Sequence, residues 1–88
     1  MTFEFDAAKS ASNTAKHGID FVAAQALWKS QLMLLPAKED AEKRSMAIGK
    51  IGQAHWSAII TYRGAAIRII SVRRSTPREI ESYETIAR

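Results

Sequence analysis

The chain contains no cysteine, which removes disulfide frameworks, thiolate zinc sites and cysteine nucleophiles together. That absence is compatible with a reducing cytosol. No apolar run approaches the roughly 20 residues needed to cross a bilayer. The opening MTFEFD carries acid where a secretory leader carries lysine or arginine. There is no glycine-rich phosphate loop and no serine elbow of the hydrolase kind. The two histidines, His17 and His55, are far apart in the sequence, and no metal-ligand cluster forms around either. One further absence is regional. Between Glu42 and Glu79 there is no acidic residue at all.

That same stretch holds Lys43, Arg44, Lys50, Arg63, Arg68, Arg73, Arg74 and Arg78. The formal net charge of +4 therefore understates a strong segregation of sign. A basic surface of this kind attracts nucleic acid or an acidic protein partner. The chain has 88 residues, enough for one domain that buries roughly 60–65% of its unfolded surface. A hydrophobic content of 47% against 25% charged is that of a folded protein.

Local signals divide residues 1–88 into elements of one α+β domain. Phe3 and Phe5 alternate with polar neighbours as a short strand does. Asp6 is placed to cap a helix rich in alanine that runs to His17, with Gly18 as its left-handed terminator. Asp20 is placed to cap a second helix, along which Phe21, Ala24, Leu27 and Trp28 form an apolar stripe. LMLLP reads as a buried strand ended by Pro36, and AKEDAEK (37–43) as a mobile charged connection. Strands follow at 44–51, 55–63 and 66–74, and the short connections between them make neighbours antiparallel. Gly49 and Gly52 end or bulge the first of these, and Arg63-Gly64 turns the second into the third. Thr76, Pro77 and Glu79 spell a capping box with proline in the first turn, so a C-terminal helix follows. The expected architecture is two N-terminal helices and a C-terminal helix packed on a small antiparallel sheet.

Arginine interrupts the last strand, IRIISVRR. Strict alternation places Arg68, Ile70, Val72 and Arg74 on one face and Ile67, Ile69, Ser71 and Arg73 on the other. Arg73, Arg74 and Arg78 then gather near the N-terminus of the last helix, where free amides also favour phosphate. Arg68 either faces phosphate or pairs with Glu79, Glu81 or Glu84. RNA can be cut without a metal when its own 2′-hydroxyl attacks phosphorus, given charge stabilisation and two proton transfers. The candidates for proton transfer are His17, His55, Lys16, Glu79 and Tyr83. Glu79 has a competing role in the capping box, and Tyr83 one in the core.

FEFDAAKSASNTAKHGIDFVAA, with Phe3, Asp6, Lys9, Asn13, Lys16, His17, Gly18, Phe21 and Ala24, resembles the N-terminal pattern of the BrnT toxins of bacterial type II toxin–antitoxin pairs. The strand from Arg44 to Gly49, and IRIISVRR with Glu79 and Tyr83, resemble the rest of it. Phe5, Ile60 and Val72 stand where that family commonly has Trp, Tyr and Ala. The resemblance implies a RelE-like fold and a metal-independent endoribonuclease, without cofactor, that arrests translation in the bacterial cytoplasm. It implies a BrnA-type ribbon-helix-helix antitoxin, a heterotetramer of the two, and contact with operator DNA only through the antitoxin. No membrane association is implied. On this reading Arg68, Arg73 and Arg74 hold the scissile phosphate, Lys16 and His17 transfer protons or add charge, and Tyr83 orients the substrate. Lys9, Arg44, Arg63 and Arg78 contact flanking phosphates. Two other readings stay open: a nucleic-acid-binding module that does not cut, and a surface made to receive an antitoxin.

Overall fold

The computed structural model describes residues 1–37 and 43–87. The element order is β1 (Thr2–Glu4), α1 (Ala7–His17), a 3₁₀ helix (Ala23–Lys29), β2 (Met33–Pro36), β3 (Arg44–Ile51), β4 (Ala54–Arg63), β5 (Ala66–Arg74) and α2 (Pro77–Ala87). The chain is α+β, with five strands in the order β1-β5-β4-β3-β2. The sheet is mixed rather than antiparallel, because β1 pairs with β5 in parallel. Most of the connection expected at 37–43 lies outside the described residues.

The helix ends obey their local chemistry. Asp6 Oδ1 accepts from the amides of Ala8 at 2.8 Å and Lys9 at 3.1 Å. The bonds from the Lys9 and Ala8 amides lower the Asp6 pKa. Gly18 closes α1 at φ 79, its amide donating to the Thr14 carbonyl at 2.9 Å. At the other end of the chain, the Glu79 amide donates to Thr76 Oγ1 at 3.2 Å and the Thr76 amide to Glu79 Oε1 at 3.0 Å. That is a complete capping box.

The second helix departs from expectation. It is a 3₁₀ helix whose N-cap position is Val22, not Asp20; Asp20 Oδ1 accepts the Ala23 amide at 2.7 Å from the turn before it. Phe21, Ala24 and Leu27 recur every third residue and each is fully buried. Ala24 and Leu27 lie one 3₁₀ turn apart, so one face of the helix buries both, and Phe21 is buried from the turn just before it. An α-helix would rotate Leu27 away.

Two faces of the sheet bury different cores. Ala47, Ala58, Ile60, Ile67, Ile69 and Val72 pack with Ile19, Phe21, Ala24 and Leu27 beneath α1 and the 3₁₀ helix. On the opposite face Met33, Ile48 and Tyr83 form a smaller cluster beneath α2. Strand β2 is an edge strand rather than a buried one: Met33 is buried, but Leu34 is 51% exposed. Gly49 lies inside β3 because a side chain has no room there. A Cβ would sit 2.7 Å from Ser30 Oγ and 3.1 Å from Leu32 Cδ2.

Strand β5 outruns its parallel neighbour, which pairs only with Ala66, Ile67 and Arg68. Beyond that point α1 supplies the missing partner. Asn13 Nδ2 donates to the Val72 carbonyl at 2.8 Å, and Asn13 Oδ1 accepts the Val72 amide at 3.1 Å. Asn13 Nδ2 also donates to the Ile19 carbonyl at 2.9 Å. One asparagine thus stands in for a strand residue and ties α1 to the open edge.

Candidate nucleic-acid interface

The arginine positions depend on one irregularity. Ile59 pairs with Ser71 but Ile60 pairs with Ile69, so Ile70 is an extra residue in β5. A bulge of this kind reverses the alternation beyond it. The cross-strand partners therefore assign Ile67, Ile69, Val72 and Arg74 to the face beneath α1. Arg68, Ser71 and Arg73 share the face that carries α2. Strict alternation gave Arg68 and Val72 the same face, and the bulge corrects it. Apolar side chains now fill the core without an arginine among them.

Helix α2 packs against β2 and β3 and reaches His55, Ser57 and Arg73 through Glu84 and Glu79, leaving Arg63 and Ser71 exposed on that face. A row crosses the sheet there, with Glu4 beside Arg68, Arg68 beside Thr61 and Thr61 beside Arg44. Arg68 Nη1 donates to Glu4 Oε1 at 3.0 Å, and Arg63 Nε lies 3.6 Å from the same oxygen. The acidic partner of Arg68 is thus on β1, not on the last helix. Lys43, Thr61, Tyr62, Arg63 and Arg68 line a cleft of about 350 Å³ at this end of the sheet. Arg44 is half-buried at the start of β3.

Arg73 has a partner of its own. Its Nη1 and Nη2 donate to Glu79 Oε1 and Oε2 at 2.8 and 2.9 Å, a two-point bond with geometric as well as electrostatic strength. Ser57 Oγ donates to the same carboxylate at 2.8 Å. The hydrogen bonds from Arg73, aided by those from Thr76 and Ser57, hold the Glu79 carboxyl down at about 2. Glu79 in turn raises the pKa of Arg73. Arg74 points to the opposite face, its guanidinium 5.3 Å from the Trp56 ring centroid. Arg78 is exposed in the first turn of α2. The three arginines expected at one spot are therefore distributed over two faces and a helix end.

The other candidates separate in the same way. Lys9, Ser12, Asn13 and Lys16 fall on one stripe of α1 and, with His17, Ile70 and Ser71, line a groove of about 270 Å³. No carboxylate contributes to that lining. Lys16 and His17 occupy the last turn of α1, where the negative end of the helix dipole favours cations. Ser71 joins this groove to the open face of β5, since it stands between Arg68 and Arg73 on that face. Tyr83 lies elsewhere. It is 4% exposed, and its hydroxyl donates to the Gln31 carbonyl at 2.6 Å. It also meets the His55 ring edge-on at 5.5 Å, and His55 Nε2 lies 2.6 Å from Glu84 Oε2. Both side chains belong to the contact beneath α2.

Sequence reasoning missed Ser12 and Ser71 as cleft residues, and named Lys43 only as part of the basic stretch. The lysine stripe of α1 was legible from helical spacing, with Ser12 on it. Nothing local marks Ile70 as the bulged residue that moves Ser71 from the face of Ile67 and Ile69 to that of Arg68 and Arg73. Among the described residues no three of His, Asp or Glu gather into a group able to hold a metal ion. None of the described helices is long and apolar enough to cross a membrane. What the groove offers is two ammonium groups, an imidazole able to carry a proton, and a surface free of acid. A sequence model of the family described as ribonuclease toxin, BrnT, of type II toxin-antitoxin systems matches residues 5–79. No curated protein matches the chain.

Proposed function

The chain belongs to the BrnT family of ribonuclease toxins of type II toxin–antitoxin systems, and from that premise we propose that it cleaves RNA without a metal and so arrests translation. The observation that carries this reading is the acid-free groove of Lys9, Lys16 and His17 between α1 and β5. A phosphodiester lying there has its charge met by the two lysines. The substrate's 2′-hydroxyl attacks the adjacent phosphorus, its proton passes to the neutral His17 imidazole, and the P–O5′ bond breaks as the 5′-oxygen takes a proton from the Lys16 ammonium or from water. Solvent then returns both groups to their starting forms. The products are a 2′,3′-cyclic phosphate and a 5′-hydroxyl. Such proton transfer contributes about 10²- to 10⁴-fold.

Arg73, fixed by Glu79 and 41% exposed, and Arg68 form the side of the path nearest Ser71. Arg63, Arg44 and Arg78 extend the positive surface, and Arg74 serves the opposite face. The buried Tyr83 takes an architectural part in this scheme. A RelE-like arrangement of helices on the sheet, a BrnA-type antitoxin joined in a heterotetramer, operator contact through that antitoxin, and a cytoplasmic location complete the proposal. The antitoxin then inhibits by covering the basic surface.

The test is cleavage of a single-stranded RNA by purified protein in EDTA, with end-group analysis. The expected result is cleavage with a cyclic phosphate end, reduced at least 100-fold in folded His17→Ala and Lys16→Ala variants. Cleavage that requires added magnesium, or that survives both substitutions, overturns the mechanism.

A further inference from the structure

The face that carries α2 also holds an apolar strip with no part in the cleavage scheme. Strand pairing sets Leu35 beside Met46, Met46 beside Ile59 and Ile59 beside Ser71, in one row across β2, β3, β4 and β5. On one side of it Met33 and Ile48 are buried with Tyr83 beneath α2. On the other side runs the row of Arg68, Thr61 and Arg44. Leu35, Met46 and Ile59 themselves are only half-buried. They line a cleft of about 440 Å³ together with Arg73 and Glu79.

The polar pair in that cleft has bonding capacity to spare. Arg73 Nη2 donates to Glu79 Oε2 at 2.9 Å, and its other contact is Met46 Sδ at 4.0 Å. A thioether is a weak acceptor, so an oxygen or a ring nitrogen is the better partner for that N–H. Glu79 Oε1 accepts from Arg73, Ser57 and Thr76. Among the described residues Oε2 accepts from Arg73 alone. A donor and an acceptor thus stand side by side at the edge of an apolar floor.

That combination suits a nucleobase, a flat body with apolar faces whose edge carries acceptor and donor groups next to each other. An alkyl group in the same place would cover both polar groups without bonding either, which is costly. The position agrees as well. Ser71 lines the α1 groove, and Ile59 and Met46 lie one and two strand spacings from it, roughly 5 and 10 Å. A strand with a phosphate in the groove carries a neighbouring base over the cleft.

We propose that Leu35, Met46, Ile59, Arg73 and Glu79 form a base-binding cleft that takes one unpaired nucleobase of the RNA held in the α1 groove. This deepens the ribonuclease reading and rests on it for the choice of RNA. The base lies against Met46 and Ile59, with its edge bonded to Arg73 Nη2 and Glu79 Oε2. The cleft binds and positions the strand, whereas the reacting phosphate stays with Lys9, Lys16 and His17.

The experiment compares the binding of two fluorescent 2′-O-methyl hexanucleotides by the full chain, one with bases and one abasic. The two are equal in phosphate charge, and neither can be cut at its blocked 2′-oxygens. The abasic strand is expected to bind at least about tenfold more weakly, the size of one hydrogen bond to a charged group. Ile59→Ala is expected to narrow that gap and to leave abasic binding unchanged, which also reports an intact basic surface. Arg73→Lys keeps the charge but not the fork. It is expected to narrow the gap while the slope of log K against log salt stays that of the parent. Equal binding of the two strands by the parent, or a gap unchanged in either variant, would overturn the cleft. So would variants that keep the gap and lose only antitoxin binding, since the strip would then be a protein interface. Failure of the ribonuclease reading is registered separately, by an intact ribo-hexanucleotide in a parallel incubation.

Discussion

Replacing Glu79 with glutamine isolates the charge in the network that joins β5 to α2. Glutamine at the third helical position still completes a capping box and still accepts from Ser57. What disappears is the charge opposite Arg73. The carboxyl goes from an ordinary 4.5 to about 2 in the folded chain, and each tenfold change in proton affinity is worth about 1.4 kcal/mol. The full effect is then about 3 kcal/mol. Arg73 is 41% exposed, so solvent screens the pair and about 2 kcal/mol is the expected cost at pH 7. The folded pKa is depressed, so this stabilisation is complete above the unfolded value of 4.5. It fades as pH falls toward 2. Denaturant unfolding followed by circular dichroism, at pH 7, 5, 4 and 3 in low salt, should show the two proteins converging in stability as the pH falls. A double-mutant cycle with Arg73→Met should give a coupling of similar size at pH 7. A difference that stays constant from pH 7 to pH 3, or a coupling near zero, would refute the assignment of Glu79 as a charged anchor for Arg73.

Three further outcomes are expected. Asn13→Ala leaves the Val72 amide, the Val72 carbonyl and the Ile19 carbonyl without their partner, and should destabilise the fold by about 3 kcal/mol, measured by urea unfolding. Asn13→Asp, which loses the donor to both carbonyls, should be no better. Gly49→Ala drives a methyl against Ser30 Oγ at 2.7 Å and should cost about 1–3 kcal/mol, visible as a lowered Tm. Removing Lys9 and Lys16 together should reduce the salt slope of single-stranded RNA binding by about 1.4, whereas removing Lys29, which lies outside both basic clefts, should leave it nearly unchanged.

Much of this protein follows from interactions a few residues long. Asp6 and the two amides it accepts, Gly18 after His17, and the exchange between Thr76 and Glu79 are local bonds, so residue identity and spacing determined where both α-helices begin or end. Period-two patterning and short connections likewise determined β3, β4 and β5, and helical spacing placed Lys9 and Lys16 on one stripe. The threefold recurrence of Phe21, Ala24 and Leu27 was present too, although its meaning emerged only once all three were seen buried. Tertiary structure decided the rest. The parallel pairing of β1 with β5 joins residues more than sixty positions apart. The bulge at Ile70 is set by how β4 and β5 match while the core side chains fill one face, and it alone determines which way Arg68 and Arg73 point. The partners Glu4 and Glu79 were equally out of reach, because an ion pair forms wherever the fold brings opposite charges together. Local bonding chose the elements; packing of distant strands chose the direction of each arginine, and with it the shape of the basic surface.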